Sequence, residues 1–258
     1  MIFNLYKKEI NKFKKETIIF LGLLLILNIF FLYKTYNGWN LEAGFIMNML
    51  LIPLTFLIPL VLAESKFISQ EFKDNTIYIL MSLPVSSEKI FLSKFLAVMT
   101  QYIVYSLSVI IFMSIQFMIF LNRTPYIQEI KQFFDIRIFS TATSFYVLSI
   151  AGLLYMISSI FLSSIIGKTF KKYSKIISFG SFLAILYIGG KIIGFMMSNL
   201  EKVGFTINNV AMNYNIDEFM RLLNEVGFGV FLTTLIILLV TFVIYFITCK
   251  IYDKKIEI

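Results

Sequence analysis

The sequence predicts an all-α integral membrane protein built on six transmembrane helices, and three observations predict it. Apolar residues make up 59% of the 258 positions and charged residues 15%, against about 45–50% and 25% in soluble domains. Mean hydropathy is +0.84, so lipid is the consistent solvent. Finally, the apolar residues gather into six runs close to the roughly 20 residues that a helix needs to cross a bilayer core.

The runs are Thr17–Tyr33, Gly44–Ala63, Leu96–Leu121, Thr143–Ile166, Ile176–Met197 and Phe228–Cys249. The first is short, but its lysine-rich entry can snorkel and lengthen it. A basic front and an apolar centre also suit a signal peptide. No small-residue cleavage site follows, and the chain continues as Phe31-Leu32-Tyr33-Lys34, so a retained helix is expected.

Basic residues set the orientation. Sixteen flank the runs on one side, from Lys7, Lys8, Lys12, Lys14 and Lys15 to Lys250, Lys254 and Lys255. Six lie on the other: Lys34, Arg123, Lys131, Arg137, Lys202 and Arg221. Both termini are therefore expected in the cytosol. The net charge of +8 is accounted for by this placement beside anionic headgroups, so nucleic acid is not expected as a partner.

The chain reads as one transmembrane domain, 1–258, with three accessory segments. Residues 1–16 pattern as an amphipathic interfacial helix, with Phe3, Tyr6, Ile10 and Phe13 on one face and Lys7, Lys8, Lys14 and Lys15 on the others. Residues 64–95 form a cytosolic loop too long for a plain connection. Ser65–Met81 is helix-forming, Ser82-Leu83-Pro84 breaks it, and Ser86 or Ser87 caps the next helix with Glu88 in its first turn. Residues 198–227 form an outer loop whose Asp217–Val226 stretch carries Phe219, Met220, Leu222, Leu223 and Val226 at helical spacing.

Several chemistries are excluded. There is no histidine and Cys249 is the only cysteine, which removes histidine-based triads, the usual zinc sites and an internal disulfide. Gly167-Lys168-Thr169 mimics the end of a phosphate-binding loop, but the earlier glycine falls at Leu162 and a membrane span precedes it. No metal site and no bound cofactor are expected.

Within the spans, Pro53 and Pro59 are expected to bend the second helix by removing backbone hydrogen bonds. Gly190 and Gly194 form a small-xxx-small pair suited to close packing on the fifth. These four are candidates for gating or packing. Lys191 either snorkels to the outer interface or lines a substrate path. Asn28, Asn48, Gln101 and Gln116 suit bonds between helices.

The run Glu71, Asn75-Thr76, Leu80, Leu83-Pro84-Val85-Ser86 and Lys94 resembles the cytosolic loop of ABC-2-type transporter permeases. That loop carries a Glu-x-x-x-Gly-Thr stretch, a Leu-x-x-x-Pro-Val-Ser turn and a Gly-Lys entry to the third span. Asn75 replaces the glycine, and Ser93 precedes Lys94 where glycine is common. The resemblance implies a permease half that pairs with a second permease subunit, identical or not. It also implies a separate cytosolic ABC ATPase, which would hold the ATP and Mg. The loop would be a coupling helix docking into that ATPase, with Glu71 and Thr76 in the docking region and Pro84 setting its angle. Lys94 would anchor at the inner headgroups. Apolar, Phe-rich spans suit an amphipathic or hydrophobic cargo such as a drug, lipid or antimicrobial peptide, exported across a bacterial plasma membrane. The alternatives are a secondary transporter or channel, and an accessory subunit that binds an ATPase without transporting.

Overall fold

The computed structural model describes residues 2–37, 39, 41–74, 85–123, 136–170, 173–202 and 216–255. Every regular element among them is helical. Six of the helical segments are long and apolar enough to cross a membrane: Ile2–Asn37, Ile46–Phe67, Ser87–Ile119, Phe139–Lys168, Ser174–Asn199 and Leu223–Lys254. The chain falls into two compact units, Met1–Glu129 and Ile130–Ile258.

The first unit opens with α1, Ile2–Asn37, which runs as one uninterrupted helix of 36 residues. The amphipathic segment 1–16 and the first span are thus a single element. No glycine or proline separates them, and Lys12 to Thr17 offer no breaker. At 1.5 Å per residue the helix is about 54 Å long, well beyond the ~30 Å hydrocarbon core. The face it buries near its start is Leu5, Glu9 and Phe13, whereas Phe3 is 70% exposed.

The second span is divided. α2, Leu41–Met49, ends at Leu50, and α3, Leu51–Leu62, starts immediately after. Pro53 explains the division: it cannot donate to the carbonyl of Met49, and proline is accommodated only in a first turn. Pro59 lies inside α3. Beyond it Ala63–Ser69 widens into a π-helix, with the Gln70 amide bonded to the Ser65 carbonyl. A short α4, Gln70–Lys73, follows. α5, Ser87–Arg123, begins where the amides of Lys89 and Ile90 bond to the Ser86 carbonyl, with Glu88 in its first turn.

α1 and α3 both pack on α5. Leu24, Leu51, Tyr105 and Val109 form their core, with Phe20 edge-on to Tyr105 at 4.9 Å. Polar bonds cross the same seams: Gln101 Nε2 donates to Thr17 Oγ1 at 2.8 Å, and Asn48 Nδ2 to Gln116 Oε1 at 3.2 Å. Asn28 instead bonds within its own helix, to the Leu24 carbonyl.

The second unit holds α6, Ile136–Lys168, α7, Ser174–Lys202, and α8, Ile216–Lys255. The Asp217–Val226 stretch is helical, but it forms the first turns of α8 rather than a separate element. Tyr155 and Leu162 of α6 and Val240 and Ile244 of α8 form one core, against which Ile185, Leu186 and Ile193 of α7 pack. A Cβ on Gly189 would strike the Tyr155 hydroxyl, and one on Gly167 would strike the Ser178 hydroxyl and approach the Ser174 carbonyl. Those two glycines set the close approach of α7 to α6. Gly190 and Gly194, the small-xxx-small pair, meet no atom of this chain within 4 Å.

This difference is measurable. Gly189→Leu should destabilise the detergent-solubilised subunit by about 1–3 kcal/mol through overpacking. Gly190→Leu should stay within about 0.5 kcal/mol of the parent. Thermal unfolding of the two variants checks both values.

Candidate functional site

The sequence-predicted loop leads to a cluster of buried charge in the first unit. Three elements supply it. α1 contributes Glu9 and Lys12, α4 contributes Glu71, and the first turns of α5 contribute Lys94. Glu9 and Glu71 are 1% and 4% exposed and Lys94 is 3% exposed.

The contacts form one chain of alternating sign. Glu71 accepts from Lys12 Nζ through Oε1 at 2.5 Å and from Lys94 Nζ through Oε2 at 2.6 Å. Lys12 also pairs with Glu9 Oε2 at 3.1 Å. Lys94 completes its shell by donating to the Phe67 carbonyl at 3.1 Å and lying 5.0 Å above the Phe67 ring. The four formal charges cancel. Phe13 meets Phe67 edge-on at 4.5 Å beside them, so an apolar wall screens the cluster from water.

Local sequence explains the assembly. Leu5, Glu9 and Phe13 repeat every four residues and therefore share one stripe of α1. The π-helix adds a residue per turn, which resets the phase of everything after Ser69 and so the direction in which Glu71 points. A second contact, Lys66 to Glu16 at 2.8 Å, ties the π-helix to α1 at a half-exposed position.

The predicted residues distribute unevenly over this geometry. Glu71 sits at its centre, with its carboxylate turned to Lys12 and Lys94. Lys94 departs from expectation: it is not a headgroup anchor but a buried ion-pair partner, because its side chain turns back toward Phe67 and Glu71. Thr76 and Pro84 lie outside the described residues. Pro53 is exposed and Pro59 buried, both in α3 and away from the cluster. Lys191 belongs to the second unit, exposed on α7 with its ammonium 5.7 Å over the Tyr187 ring. Gly190 and Gly194 lie on that same helix, and both are exposed.

Glu9 and Lys12 were not singled out by sequence. An acidic residue on a stripe otherwise filled by Leu5 and Phe13, three places before a lysine, is the signal that points to them. Gly167-Lys168-Thr169 falls at the C-terminal end of α6, whereas a phosphate loop leads into a helix N-terminus. Its glycine is used for packing against α7. Between α1 and α5 there is also an open apolar groove of about 370 Å³, lined by Leu21, Leu25, Val104, Leu107, Ile111 and Phe112 with Ser108.

The family described as ABC-2 family transporter protein matches the chain over residues 5–171. The matched stretch contains nearly all of the first unit, including every residue of the charge cluster, and α6. No curated protein and no solved structure matches the chain.

Burial separates the two ion contacts energetically. Lys94→Ala strands the Glu71 carboxylate beside one remaining lysine and should cost about 3–5 kcal/mol. Lys66→Ala removes a half-exposed pair worth about 0–1 kcal/mol. Unfolding midpoints of the two variants should differ accordingly.

Proposed function

Since the chain belongs to the ABC-2 transporter family, we propose that it is the membrane-spanning permease subunit of an ATP-binding-cassette transporter. A separate cytosolic ATPase subunit drives it, and a second permease subunit, identical or paired, completes the pathway. ATP and Mg are held by the ATPase, and this chain performs no chemistry of its own.

The observation that carries the reading is the seating of the loop. Its entry, Glu71, is joined to α1 and to the start of α5, two of the helices long enough to span a membrane. A plain connection between spans has no need of three buried charges and a half-buried fourth at its root. A loop that receives force does, because the force must reach the spans. Thr76 and Pro84 follow this root and belong to the part that would meet the ATPase.

The bias of basic residues supports cytosolic termini and a cytosolic loop. Its sixteen-to-six ratio favours Glu71 and Lys94 lying on the same side as both ends of the chain. A bacterial plasma membrane and outward movement of an amphipathic or hydrophobic cargo are the finer part of the proposal. The apolar groove along α1 and α5 suits such a cargo, since small-molecule sites are predominantly apolar. Lys191, in the second half of α7, is proposed to face the cargo's polar end.

Purification from the native membrane tests this. The ATPase subunit should elute with the wild-type chain. It should be lost about tenfold or more when residues 75–84 are replaced by a Gly/Ser segment of equal length. An ATPase that remains bound to that variant, or that never accompanies the wild type, contradicts the assignment.

A further inference from the structure

The four-charge cluster has a property that stability does not explain. Desolvating two carboxylates and two ammoniums costs roughly what their mutual attraction returns, and apolar side chains of equal volume serve a core as well or better. Methionine would fill each of these sites with a similar straight chain. What methionine cannot do is fix position. An ion pair with contacts near 2.6 Å has one narrow geometry, whereas apolar chains slide and repack.

The arm that carries Glu71 has two routes into the membrane. The covalent route passes back through the π-helix Ala63–Ser69, through Pro59, and through the break at Leu50. Each of these interrupts the regular i→i−4 ladder that makes a helix stiff. The other route crosses from Glu71 to Lys12 of α1 and to Lys94 of α5, and both of those helices continue unbroken into their spans. The second route is the stiffer one, and burial of both partners shields its Glu71–Lys94 link from screening by salt.

We propose that Glu9, Lys12, Glu71 and Lys94 are a strut that makes α1 and α5 move with the cytosolic arm as one body, while the broken second span yields. They are positioning residues for coupling, and Glu71 acts from inside the unit rather than at the ATPase surface. This deepens the transporter reading above and rests on it.

The test uses the permease–ATPase complex in lipid nanodiscs, where both faces of the membrane are open to added reagents, on a Cys249→Ser background. Tyr36→Cys reports from the far end of α1, 24 residues from Lys12 and so about 36 Å away. The readout is its rate of labelling by a membrane-impermeant maleimide with and without ATP. The parent should show an ATP-dependent rate. The quadruple variant E9M/K12M/E71M/K94M should insert, retain the ATPase, and unfold within about 4 °C of the parent. Its labelling rate should no longer respond to ATP. Three results overturn the strut: a parent that carries the ATPase yet shows no response, a quadruple variant that responds like the parent, or one that unfolds well below it. Failure of any ATPase to accompany the parent strikes instead at the transporter reading.

Discussion

A charge removed from water must find a partner, and the structure of the first unit is arranged around that requirement at Glu71. Its two carboxylate oxygens go to two lysines on two different helices. Each lysine in turn needs a second acceptor, Glu9 for Lys12 and the Phe67 carbonyl for Lys94. Satisfying one group therefore fixes the positions of α1, the π-helix, α4 and the start of α5 together. The edge-on pair Phe13–Phe67 lies beside this, and excluding water strengthens every contact behind it.

The rest of the unit is consistent with a stiff pair of helices beside a compliant one. α1 and α5 are long, regular and joined by apolar and polar contacts along their length. The second span is assembled from α2, α3 and a π-helical segment, with Pro53 just after the break at Leu50 and Pro59 inside α3. The interruptions in the second span come from a short list of residues: Pro53, Pro59 and the sequence Ala63–Ser69. In the second unit, close packing falls to Gly167 and Gly189, while the opposite surface of α7 remains open.

Much of the fold was legible in the sequence because its cause is local. Apolar runs near 20 residues long identify membrane helices without reference to anything distant, and all six coincide with helical segments. The site was legible only in part. Glu71 came from its place in a family pattern, but its partners are 59 and 23 residues away, and periodicity carries no information across such separations. Lys94 read as a headgroup anchor because lysine at a span entry usually is one; its burial depends on where Phe67 and Glu71 lie. The π-helix has no sequence signature, yet it decides which way Glu71 points. Gly189 and Gly190 are neighbours of identical chemistry, and only the phase of α7 against Tyr155 tells them apart.

The interaction energy between Glu71 and Lys94 is the quantity on which all of this turns. It is obtained from a double-mutant cycle with E71M, K94M and E71M/K94M, followed by thermal unfolding of the detergent-solubilised subunit. Each single variant strands a buried charge, so the double variant should be less destabilised than the sum of the two by at least about 1.5 kcal/mol. Additive effects would mean that the two groups do not sense each other, and the buried network would not be what holds the arm to α1 and α5.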